Sequence, residues 1–104
     1  MEIIWTKTAR IDLNEIVEYI AVDSVEIALK KYYEIRECTS PLDKFPEQGR
    51  IVPELKNENI MKYREIIIPP WRLIYKIEKK KIYVMAVIDS RRNIEDILMK
   101  RQLR

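Results

Sequence analysis

Histidine is absent from this chain, and cysteine, glycine and phenylalanine occur once each. Without His, and with Cys38 alone, the chain can form neither an internal disulfide nor a Cys/His zinc site. A reducing compartment, the cytoplasm, is the expected one. One Gly and five Pro exclude a collagen-like or low-complexity chain, and a hydrophobic content of 47% excludes disorder. No apolar run has the length of a secretory signal, and none approaches the roughly 20 residues of a membrane span. A strong excess of one charge sign is missing too, since 20 Lys and Arg face 17 Asp and Glu for a net +3.

What is present suits one domain over residues 1–104, a length at which roughly two-thirds of the unfolded surface can be buried. The charge is uneven. From Arg72 to Arg104 ten basic residues stand against Glu78, Asp89, Glu95 and Asp96, and nucleic acid or an acidic partner is the natural counterpart.

The apolar run EIIW reads as a short strand, with Thr6 after it as a helix N-cap. Ala9, Leu13, Ile16, Val17 and Ile20 form one stripe at helical period and predict a helix over 7–21, with Asp12, Glu15 and Glu18 off the stripe. Ser24 is a second N-cap, and Ala28, Leu29, Tyr32, Ile35 and Thr39 predict a helix over 25–39 antiparallel to the first. Pro41 should break it before Leu42 and Phe45 pack, and Gly49 in FPEQGR is free to take positive φ. After the polar segment ELKNENIM come three strands, 62–68, 71–77 and 82–88, as an antiparallel meander. Pro69 and Pro70 sit in its first turn and EKKK in its second, without the Gly a tight turn prefers. Ile94, Ile97, Leu98 and Leu103 predict a terminal helix over 93–102. The fold class is α+β, order β-α-α-β-β-β-α, a four-stranded antiparallel sheet with the helical hairpin on one face.

Strand alternation separates Trp71, Leu73, Tyr75 and Ile77 from Arg72, Ile74 and Lys76. The first set should meet the helices, leaving Arg72 and Lys76 on an open face. Arg64 parts from Tyr63 and Glu65 in the same way, and Arg91 and Arg92 follow the last strand. Together these arginines describe a face and rim able to hold phosphates or carboxylates through forked hydrogen bonds. The plainer description of each is a solvated residue covering apolar surface with its stem. Trp5, Trp71, Tyr75 and Tyr83 read as packing residues rather than stacking platforms, Lys79, Lys80 and Lys81 as a solvated turn, and Glu54 as a lone loop carboxylate.

Five segments in order, W-T-x-x-A-x-x-D-L, FPEQGRIVPEL, YREI, WRLIYKI and VIDSRRNIEDIL, resemble the RelE/ParE superfamily of toxins from type II toxin–antitoxin (plasmid stabilisation) modules. The resemblance implies that family's fold, no cofactor and no metal, and a small antitoxin that drapes an acidic segment over the toxin in a hetero-oligomer. RelE-like members cleave messenger RNA in the ribosome; ParE-like members inhibit DNA gyrase. For a RelE-like nuclease the resemblance puts Arg72, Arg91 or Arg92, and Glu54 in catalytic positions, with Arg64 in place of a strand lysine. Arg64, Arg72, Lys76, Arg91 and Arg92 form the implied target-binding set. The tail IEDILMKRQLR lacks the terminal Tyr or His of the nucleases. Arginine, with a pKa above about 12, is a poor general base. The SRRNIEDIL ending favours the ParE branch, with a RelE-like ribonuclease and a non-toxic antitoxin-binding remnant as the other readings.

Overall fold

Thr6 ends one element and starts the next. Its hydroxyl donates to the carbonyl of Val84 at 2.8 Å and accepts from the amide of Ala9 at 3.3 Å. Strand β1 (Glu2–Trp5) thus passes into helix α1 (Lys7–Ala21) through one capped residue. Ser24 caps α2 (Val25–Glu37) in the same way, accepting from Ile27 at 3.2 Å. The computed structural model describes residues 1–101. It continues with a 3₁₀ turn (Ser40–Asp43), β2 (Arg50–Ile51), α3 (Pro53–Lys56), β3 (Tyr63–Ile68), β4 (Trp71–Glu78), β5 (Lys81–Asp89) and α4 (Ile94–Lys100). Leu103, expected on the terminal helix, lies outside the described residues.

The strands form a 5-stranded sheet in the order β1-β5-β4-β3-β2. The meander β3-β4-β5 is antiparallel as expected, but β1 lies parallel to β5 and β2 adds an edge, so the sheet is mixed rather than four-stranded and antiparallel. Two residues of β2 are too few to show a period. Between Ile74 and Tyr75 the register with β5 shifts, so that Ile74 faces Ala86 and Tyr75 faces Val84, with Met85 as the extra residue. The bulge turns Val84 and Ala86 to opposite faces.

One face packs under the hairpin: Leu73, Tyr75, Ile82, Val84 and Val87 meet Ala9, Leu13, Ile35 and Leu42. The other face is not open. Ile74, Ala86, Ile88 and Tyr63 lie in a second core with Val52 and Leu55 around α3 and with Ile94, Ile97 and Leu98 of α4. The expectation of helices on one face only is therefore corrected. A single turn of helix carrying one buried leucine does not announce itself as a layer.

Smaller expectations also change. Leu29 and Phe45, read as packing residues, are exposed, and Asp12, read as lying off the apolar stripe, is buried. Gly49 keeps negative φ; it is needed because a Cβ there would lie 2.7 Å from the Glu65 carbonyl and 2.7 Å from the Tyr75 hydroxyl. Positive φ occurs instead at Lys79 (52°) and Lys80 (61°), the residues that turn β4 into β5. This is the backbone of a type I′ hairpin, which Asn-Gly adopts readily and lysine adopts at a cost of about 1–2 kcal/mol per residue.

Candidate functional site

Alternation in β4 sends Arg72 away from Trp71 and Leu73, into the second layer. There it is 7% exposed, not solvated on an open face. Its Nε donates to Oε1 of Glu65 at 2.7 Å, and its two terminal nitrogens fork onto Glu54 at 2.7 Å each. Glu65 is 1% exposed and takes a second cation, Nε of Arg50, at 2.6 Å. Burying these charges is tolerable because each is paired and hydrogen-bonded. The Arg72 hydrogen bond holds the Glu54 carboxyl below its ordinary range. The Arg72 guanidinium is in turn raised, chiefly by its bond to Glu54. An anion approaching Arg72 would meet two carboxylates already in place.

The remaining arginines are elsewhere. Arg64 points to the hairpin side and donates to the carbonyls of Glu47 and Gly49, tying the 46–49 loop to β3. Tyr75 helps from the same side, accepting from the Gly49 amide at 2.9 Å and donating to the Pro46 carbonyl at 2.8 Å. Lys76 pairs with Glu78 at 2.9 Å and lies over the Tyr83 ring. Arg91 is exposed and forks onto Asp89, whose carboxyl it draws down to about 2. Arg92 is also exposed. Arg91 and Arg92 line a cleft of about 370 Å³ between α1 and the β3–β4 turn, with Trp71, Tyr19, Ile16 and Glu15 among its walls. The structure thus joins Arg72 with Glu54, and Arg91 with Arg92, on opposite sides of the sheet.

Two buried carboxylates, Asp12 and Glu65, join the described site without standing out in the sequence. Asp12, at the floor of that cleft, accepts from the Val87 amide at 3.0 Å and from both terminal nitrogens of Arg101 at 2.7 and 2.9 Å. β1 pairs with β5 only as far as Val84, so Asp12 satisfies the next strand amide and Arg101 clasps α4 against α1. The signal was its spacing: residue 12 stands three after Ala9 and one before Leu13, on the stripe itself. Glu65 had the same signature, a charge between Tyr63 and Ile67 on one strand face.

The mixed sheet, the capped helical hairpin and the clasped terminal helix build one α+β domain. The architecture is shared with a solved chain described as "Chromosomal ParDE TA system from P. aeruginosa". The two are 25% identical with a TM-score of 0.70, over 86% of this chain and 95% of that one. Residues 3–94 match the family described as the ParE toxin of the type II toxin-antitoxin system, parDE. The chain therefore belongs to the ParE toxin family. Among curated proteins none matches it in sequence.

Proposed function

We propose that this ParE-family toxin binds and inhibits DNA gyrase without cutting RNA, and that a small antitoxin neutralises it. Family membership supports the target class. The observation that carries the non-enzymatic part is the pairing of Arg72 with Glu54 and Glu65 beneath a second layer. Cleavage through a 2′-hydroxyl needs a base, an acid and a free cation at phosphorus. Arg72 is engaged, and both Glu54 oxygens accept from it, a bond that lowers the Glu54 carboxyl and weakens it as a base. Burial pushes the Tyr63 hydroxyl up to about 12 and also raises Tyr75, whose hydroxyl is occupied by the 46–49 loop.

The exposed Arg91–Arg92 rim and its cleft are the surface this reading gives to an acidic partner segment. Purified protein should block supercoiling by gyrase, and co-purified antitoxin should restore it. Normal supercoiling at saturating toxin would reject the reading. New cleavage ends on translated message in primer extension, lost in Arg72→Ala but retained in an equally destabilised core variant such as Leu98→Ala, would favour the RelE-like alternative.

A further inference from the structure

We infer that the tip of the β4–β5 hairpin is a cation site for the phosphate backbone of duplex DNA, held without sequence readout. The turn residues Lys79 and Lys80 both adopt positive φ, where Asn-Gly would sit without strain. Both are exposed, so packing does not require lysine there. A strained backbone kept with two ammonium groups on it points to a use for those groups.

The charge is concentrated at this end of the sheet. Lys81 follows directly, and exposed Lys62 stands just before β3, next to Tyr63, whose register partner is Lys76. Glu78 reports how closely they gather: Lys76 holds its carboxyl low by a direct hydrogen bond, and Lys62 and Lys79 add to the effect. Counter-charge is sparse. Glu78 is taken by Lys76, Glu2 stands 3.8 Å from Lys81, and among the described residues neither Lys79 nor Lys80 has an ion pair. A two-stranded ribbon with a basic tip can lie along a groove of the duplex, which is about 12 Å wide on its major side. Single strands are bound through exposed aromatic platforms as well as charge. Here Tyr63 is buried and Tyr83 lies half-buried beneath Lys76, which favours the duplex.

The inference rests on the turn and not on the gyrase reading, and its test contains no gyrase. Full-length protein is titrated into a labelled mixed-sequence DNA duplex at several salt concentrations, with binding read by fluorescence anisotropy. The variant K79N/K80G removes two ammonium groups and gives the turn its preferred residues, so the fold is retained and its Tm should rise. The charge-matched control K30N/K100N removes lysines from α2 and α4. Each phosphate contact adds about 0.9 to the salt slope, so K79N/K80G should lower the slope by about 1.8 while the control keeps the wild-type value. Equal loss in both variants, no duplex binding at about 50 mM salt, or tighter binding to single-stranded RNA, an acidic peptide or anionic vesicles would overturn it.

Discussion

Arg72 illustrates how a residue can look available in a sequence and be fully engaged in a structure. Its position in β4, flanked by Trp71 and Leu73, correctly sends it to the face opposite the hairpin. What alternation cannot show is that Glu54, eighteen residues away, and Glu65, on the neighbouring strand, arrive on that face as well. Removing the guanidinium leaves Glu65 buried with only the more exposed Arg50 for company. Arg72→Ala should therefore cost about 3–5 kcal/mol in urea unfolding, so loss of toxicity in that variant has to be read against its stability. The same pair sets an acid dependence. Because the Glu54 carboxyl is lower in the folded state than its ordinary 4.5, the folded state binds fewer protons than the unfolded one. Its stabilisation is present above that value and is lost as pH falls through the folded pKa. The urea midpoint should drop between about pH 5 and pH 3 more steeply for the wild type than for Glu54→Gln; equal slopes would show that another carboxylate sets the effect.

Among the elements, those with a cap and several turns were legible. Thr6 and Ser24 set the starts of α1 and α2 where the stripes begin, and the β3-β4-β5 meander followed from short connections. Illegible were β2, α3 and the parallel pairing of β1 with β5, because two residues, one helical turn and a long-range partner leave no period behind. These pieces decide the site, since α3 brings Glu54 to Arg72. Helix α4 is too short to hold itself in water and depends on Ile94, Ile97 and Leu98 beneath it and on the Arg101 fork to Asp12. Arg101→Ala should cost about 1.5–3 kcal/mol, the usual worth of hydrogen bonds to a charged group. Hydrogen exchange should quicken in α4 and at the Val87 amide, while the α2 amides stay protected. Uniform change across the chain would contradict a local clasp.

At the scale of the molecule, three layers are stacked: the hairpin, the mixed sheet, and the pair α3 and α4. Among the described residues no helix is long and apolar enough to cross a membrane. The fold class was legible in the helical stripes and strand alternation, and the toxin family in five segments that stand in order. Which sheet face stayed open was not, because that depended on four residues of α3 and the docking of α4. With that face closed Arg72 is buried, while the Arg91–Arg92 rim and the lysine tip remain exposed. On the function proposed above, the protein acts by binding. The most direct test is a gyrase supercoiling assay run beside primer extension on actively translated message, with the same purified protein in both. The account predicts blocked supercoiling at near-stoichiometric protein and an unchanged set of message ends; full supercoiling together with new message ends would contradict it.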